Sequence, residues 1–126
     1  MTTQNKQLVQ RALAELIGEG GVAAVEPLLS DDFRHHRPDG LIRDKTEWLN
    51  DVGNALDPLK DMKVDILHIL SDADHVILHT HRHLPDDGPS IAVVDIIHLA
   101  DNLITEAWEL LEPLAEADAH LTWWDR

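Results

Sequence analysis

"SIAVVDIIHLADNLITEAWELLEP" runs from Ser90 to Pro113 and reads as two strands joined by a tight turn. β-Branched and aliphatic residues fill 90–99 and 103–111, and the "ADN" between them is short and made of turn formers. A loop of that length joins antiparallel neighbours. In the first strand Ile91, Val93, Ile97 and Leu99 share a side with Asp95, while Ala92, Val94 and Ile96 lie opposite. Both faces are thus apolar apart from one carboxylate. An unpartnered charge is expensive to take out of water. Asp95 must therefore lie on a wet face, be paired, be held protonated, or face a cavity that uses it.

Working outward, two more β-rich runs precede this pair, at 61–70 and 74–84, separated by "SDAD" and "PDDGP". The four runs form a meander. Before Pro58 the texture is helical. Leu8, Val9, Ala12, Leu13, Leu16 and Ile17 recur at helical spacing until "GEGG" (18–21). "VAAVEPLLS" (22–30) predicts a short second helix, rephased at Pro27, and "DDFRHHRPDG" (31–40) an extended piece ending in a Pro/Gly turn. "DKTEWLNDVGNAL" (44–56) opens with Asp44 as cap and Glu47 three residues on, a capping box, with Trp48, Val52 and Leu56 as its inward stripe.

Helices first and a meander afterwards predict an α+β fold, a curved antiparallel sheet wrapped around N-terminal helices. A sheet covered on one side only should have a polar outer face. The second apolar face of strand 90–99 therefore needs a cover, and a homodimer through the outer sheet face is the simplest one. The 126 residues fit a single domain, 1–126, with its core at about 5–114 and a weakly helical tail at 115–126 whose Trp123 and Trp124 dock on the rest.

Composition narrows the function. Net charge is −14, from 24 acidic and 10 basic residues, so neither nucleic acid nor an anionic membrane is an expected partner. No apolar run approaches membrane-spanning length, and the cytoplasm is the expected location. Without cysteine there is no thiolate nucleophile or Cys-ligated metal. Glycine-rich phosphate loops, G-x-S-x-G and H-E-x-x-H are missing as well.

What remains is acids and histidines. Glu109, in "EAWELLE", lies one strand beyond Asp95, and a hairpin could bring the two carboxyls onto one face. Paired carboxyls in an apolar enclosure drive their pKa values apart, equipping one as acid and the other as base. The bland alternative puts Glu109 on the outer surface, with Asp95 bound to a histidine. "HTHRH" (79–83) sets His79, His81 and His83 on one side of a strand. That array could hold a metal with a carboxylate, line a pocket, or form a solvated face. In "RHHRP" (34–38), His35 and His36 point to opposite faces, so at most one looks into a cavity. Trp48 and Trp108 fit core or interface roles.

"FRHHRPDG", "HVILHTHRHLP" and the 90–113 stretch, in that order behind the helices, resemble the SnoaL-like polyketide cyclase family of the nuclear transport factor 2-like superfamily. That superfamily also holds ketosteroid isomerases and limonene epoxide hydrolases. The resemblance covers roughly residues 5–114. It implies a cone-shaped α+β barrel, open at one end and dimerised through its outer face. It places His36 on the histidine of the family's His-Asn-Pro, Asp95 on the acid of "VVD" and Glu109 on the last acid of "EHWD". Asp95, Ala107 and Glu109 would then point inward, Glu106 and Trp108 outward. "EAWE" stands here for "EHWD" and "HRP" for "HNP".

The resulting expectation is a small enzyme without cofactor or metal, acting on a mostly apolar, carbonyl-bearing molecule. Asp95, Glu109 and His36 would be catalytic, with His79, His81, Ile97 and Trp48 lining the pocket. The chemistry would be proton transfer next to a carbonyl, leading to ring closure or isomerisation. A non-catalytic ligand-binding protein of the same fold is the main alternative. An epoxide-opening hydrolase and a metal-binding protein are further ones.

Overall fold

A computed structural model describes residues 2–18 and 20–113; Trp123, Trp124 and the rest of the tail lie outside the described residues. The chain forms α1 (Thr2–Ile17), α2 (Gly21–Val25), a 3-10 turn (Glu26–Leu28), β1 (Leu29–His36), β2 (Ile42–Asp44), α3 (Lys45–Leu56), β3 (Lys63–Asp72), β4 (His75–His83), β5 (Ser90–Ala100) and β6 (Leu103–Pro113). The rephasing expected at Pro27 is the 3-10 turn, which starts with Pro27 near its N-terminus, where a missing N–H disrupts nothing. At α3 the predicted capping box is complete. The Glu47 amide donates to Asp44 Oδ1 at 2.8 Å, and the Asp44 amide donates to Glu47 Oε1 at 3.0 Å.

The six strands make one sheet in the order β2-β1-β6-β5-β4-β3. It is curved and not closed, so the fold is α+β as expected, with β2 and β3 as its edges among the described residues. β3 to β6 form the expected antiparallel meander. β1 is the exception, running parallel to β6, which the intervening α3 and four strands make possible. β1 and β2 are joined by a turn at Pro38–Gly40, where the Gly40 amide donates to the Arg37 carbonyl and Gly40 takes a φ of 90°. Helix α1 lies against β3 and β4, and α3 against β1 and β2. Val9 and Ala12 of α1 join Phe33, Val76, Leu78, Ile97, Leu99 and Ile104 of the sheet in the core.

The β5–β6 hairpin decides which side chains look inward. Its two-residue turn has positive φ at both Asp101 and Asn102, the geometry that matches strand twist. Near the turn, Ala100 faces Leu103 and Leu99 faces Ile104. One step further, His98 faces Glu106, so Thr105 is an extra residue in β6, a β-bulge. The Thr105 hydroxyl holds the bulge by bonding to the His98 ring and to the His98 carbonyl. Beyond it the alternation of β6 is reset. Ala107 faces buried Ile97, and Glu109 faces Asp95. A regular ladder from the same turn would have set Trp108 opposite Asp95 and turned Glu109 outward.

This yields a paired expectation. Thr105→Ala keeps the extra residue and loses its hydroxyl bonds, so urea unfolding should remain cooperative with stability lowered by about 1 kcal/mol. Deleting Thr105 flips Ala107 and Glu109 outward and Glu106 and Trp108 inward, so cooperative unfolding should be lost. A deletion variant that unfolds as sharply as the parent would contradict this account of the register.

Candidate active site

A cavity of about 610 Å³ lies between the helices and the inner face of the sheet. That size suits a small organic ligand. Its helical wall is apolar, with Leu13 and Leu16 from α1 and Trp48, Val52, Ala55 and Leu56 from α3. All but Ala55 belong to the inward stripes read from the sequence; here they face a cavity rather than a filled core. The sheet wall adds Phe33, Leu78, Ile97 and Ala107, and it also carries four ionisable groups of the site, His35, Arg82, Asp95 and Glu109; Lys60, between α3 and β3, is a fifth on the lining.

Four adjacent strands deliver those groups. Asp95 and Glu109 are direct cross-strand partners, a placement that puts their Cβ atoms roughly 5 Å apart. Arg82, on β4, sends Nη2 to Asp95 Oδ2 at 3.3 Å and Nε to the hydroxyl of fully buried Thr80 at 3.1 Å. His35, on β1, brings Nε2 within 3.3 Å of Glu109 Oε1. The two acids thus have separate cationic or cation-capable partners.

Their electrostatics diverge accordingly. Burial pushes Asp95 up to about 6, against the opposing pull of Arg82 and with help from the Glu109 charge. Glu109 feels burial too, but the hydrogen bond and charge of His35, aided by Arg82 and Arg37, outweigh it and hold its carboxyl below the usual value. One carboxyl therefore titrates near neutrality while its neighbour stays ionised. A second, more open depression near Arg37, Asp39 and Asp51 shares His35, Trp48 and Glu109 with the cavity, so this pair stands between the two spaces.

Of the site residues expected from sequence, Asp95, Glu109, Ile97 and Trp48 line the cavity. His36 does not, and its place is taken by His35. His36 points to the outer face, bonded to Glu106 at 2.6 Å and stacked on Trp108 with ring centroids 5.0 Å apart. His79 and His81 also need correcting. Register pairs Leu78 with Asp95 and Thr80 with Val93, so strict alternation sends His79, His81 and His83 to the outer face. There His79 meets His68 at 3.0 Å between their Nδ1 atoms, and His81 packs on His83. Among the described residues no three His, Asp or Glu side chains are arranged to hold a metal ion. Arg82 is an ionisable cavity residue that sequence reading missed. It sits inside the quoted "HTHRH", and the inward phase of Val76, Leu78 and Thr80 was the available signal.

A helix-flanked curved sheet with acids, a histidine and an arginine on its inner wall defines a class of small pocket proteins, and comparison names the family. The profile described as "SnoaL-like domain" matches residues 9–107, and the chain belongs to that family. Among solved structures it is similar to a candidate SnoaL-like polyketide cyclase from Jannaschia sp. CCS1, with a TM-score of 0.80, 17% identity and 94% and 92% of the two chains covered. It is also similar to a candidate ketosteroid isomerase from Kribbella flavida, with a TM-score of 0.74, 16% identity and coverage of 88% and 79%. A third is IdmH, a candidate polyketide cyclase from Streptomyces antibioticus, with a TM-score of 0.73, 18% identity and coverage of 91% and 99%. No curated protein sequence matches the chain. Among the described residues no helix is long and apolar enough to cross a membrane.

The raised Asp95 has a thermodynamic consequence. The folded state holds its proton more tightly than the unfolded chain, whose value is 3.8, so ionised Asp95 costs stability above pH 6 and that cost vanishes as pH falls. Side-chain exposure of only 15% leaves little solvent screening. Comparing urea unfolding of the parent with Asp95→Asn cancels the other titrations. The parent should gain on the order of 1 kcal/mol relative to the variant between pH 7.5 and pH 5. A difference that stays flat with pH would show that Asp95 titrates normally.

Proposed function

We propose that the cavity catalyses proton transfer next to a carbonyl in a small, mostly apolar substrate, as in isomerisation or aldol-type ring closure. The observation that carries this is the facing pair Asp95 and Glu109, one raised and one lowered, within an apolar enclosure. The neighbouring folds, described as cyclases and a ketosteroid isomerase, support the same class.

Asp95 is the proton acceptor. At neutral pH a carboxyl titrating at about 6 is mostly ionised, and it is a stronger base than an ordinary aspartate. Removing the α-proton drives negative charge onto the carbonyl oxygen. Arg82 meets that charge: its guanidinium carries five N–H donors, and the bonds to Thr80 and Asp95 leave others free to turn to an enolate oxygen. Glu109 keeps a negative charge beside Asp95, which sustains the raised pKa. The proton held by Asp95 then returns to another carbon or to an oxygen of the same substrate. No redox step is involved, so the residues on the sheet wall suffice. A purely ligand-binding protein would keep the apolar walls, but it has no need of four convergent ionisable groups.

The test uses 2-tetralone, whose activated α-hydrogens exchange with solvent through an enolate. Wild-type protein in D₂O should accelerate deuterium incorporation, read by proton NMR, with a rate that rises through pH 6 as Asp95 ionises. Asp95→Asn should lower the rate by about 100-fold or more. Exchange no faster than buffer, or unchanged in the variant, would leave a binding protein as the reading.

We also propose that two copies pair through the outer sheet face. Leu70, Ile77, Ile96 and Trp108 are successive cross-strand partners and form an apolar row across four strands, with Leu70 61% exposed. Such a row is self-complementary across a two-fold axis. Light scattering at micromolar concentration should give twice the 14.2 kDa chain mass, and Ile77→Glu should halve it. A wild-type monomer would refute the pairing.

A further inference from the structure

Ile17 and Gly18, at the end of α1, and Lys60, in the turn before β3, line the cavity and are exposed as well. Residues with both properties form its rim, and Lys60 is the cation there. Asp57 and Asp61 flank it in the same turn. Even so, among the described residues its ammonium has no ion pair and no hydrogen bond. The Lys60 amide donates to the Asp57 carbonyl at 3.3 Å, so the backbone is tied to the end of α3 while the side chain stays unengaged. Arg82, the other basic residue with a permanent charge on the lining, is spoken for. Its guanidinium turns inward to Asp95 and to Thr80.

The acids stand at another level of the sheet. Lys60 leads into β3 at the end where Val64 pairs with Arg82, whereas Asp95 pairs with Leu78. At the rise of a strand, Arg82 and Leu78 are roughly 13 Å apart along β4. A molecule with its carbonyl beside Asp95 can therefore run past apolar walls and end near Lys60. Charge decides which end goes in. Glu109 is an anion beside Asp95, so a ligand carboxylate placed there would meet like charge. At the rim the same carboxylate meets an ammonium that has no other partner. Attraction at one end and repulsion at the other together fix an orientation.

We propose that Lys60 is a specificity residue for a carboxylate at the far end of the substrate, so that the cavity takes apolar keto acids with the carbonyl inward. Lys60 touches the ligand but takes no part in the proton transfer. The assignment rests on the reading of the cavity as the place where substrate sits, and adds to it the substrate class.

Calorimetric titration at pH 7.5 with 9-oxodecanoic acid and 9-oxodecanamide tests the claim. The two share a methyl ketone and a polymethylene spacer and differ in terminal charge. Wild-type protein should bind the acid about two- to fivefold more tightly, the worth of one exposed ion pair. One molar sodium chloride should erase that preference. Lys60→Gln should bring it to one or below while amide binding stays the same, and Lys60→Glu should reverse it. Lys63→Gln is the control. Lys63 carries an equal charge, pairs with His83 on the outer face and does not line the cavity, so its loss should leave the preference in place. Equal affinity for both compounds in wild type, a preference that survives in Lys60→Gln or in high salt, an equal loss in Lys63→Gln, or binding of neither compound would overturn the assignment. If 2-tetralone exchange fails while the acid preference holds, the proton-transfer reading falls and the rim site stands. If exchange succeeds without the preference, the rim site alone falls.

Discussion

One extra residue in β6 organises the site. Side chains on a strand alternate with a period of two, so any single insertion exchanges the two faces beyond it. Thr105 is that insertion, held in place by its bonds to the ring and carbonyl of His98. On the far side of it, Ala107 fills a place against Ile97 where a larger residue would crowd the cavity, and Glu109 comes opposite Asp95. The same shift sends Trp108 outward, where it stacks on His36, and turns Glu106 toward that histidine. The inner acid pair and the outer aromatic pair are two results of a single change of register.

Bringing two carboxyls together in an apolar space is unfavourable unless the surroundings separate their titrations. Here the separation is spatial. Arg82 approaches from β4 on the Asp95 side, and His35 from β1 on the Glu109 side. Glu109 gains a short-range hydrogen bond and settles as an anion. Asp95 is the more deeply buried, and its ion pair with Arg82 only partly offsets the loss of water. The helices take no part in this balance. Their inward residues supply apolar walls, and the acids, the histidine and the arginine all stand on the sheet side of the cavity.

The outer face explains the histidine content. Every described histidine except His35 lies there, because "HTHRH" and its neighbours on β3 and β5 share one phase of the alternation. His68 and His79 bond to each other, and His75 and His98 both reach Asp74. Spaced imidazoles on a strand suggest a ligand set, but they become one only if the opposite phase does not bury the core. Here Val76, Leu78 and Thr80 do bury it.

Local rules were enough for much of the fold. The capping box at Asp44 and Glu47, the turn residues at "ADN", the helical spacing from Leu8 to Ile17 and the two-faced apolar strand at 91–99 each depend on neighbours in the chain, and each was legible from residue types. The α+β layout follows from their order. Which face each strand turns inward was not legible to the same degree. A hairpin closed by a two-residue turn and continued regularly would have put Glu109 outside, and only the bulge at Thr105 reverses that. His35 and His36 are adjacent and chemically identical, so only the pairing of β1 with β6 decides between them. Arg82 lay unnoticed among histidines because both phases of β4 contain polar residues, which removes the contrast that normally marks an inner face. Sequence by itself determined the elements, since these rest on local propensity and spacing. Tertiary structure alone determined the site, since cross-strand register is settled by long-range packing and one residue of slippage changes every side chain it presents.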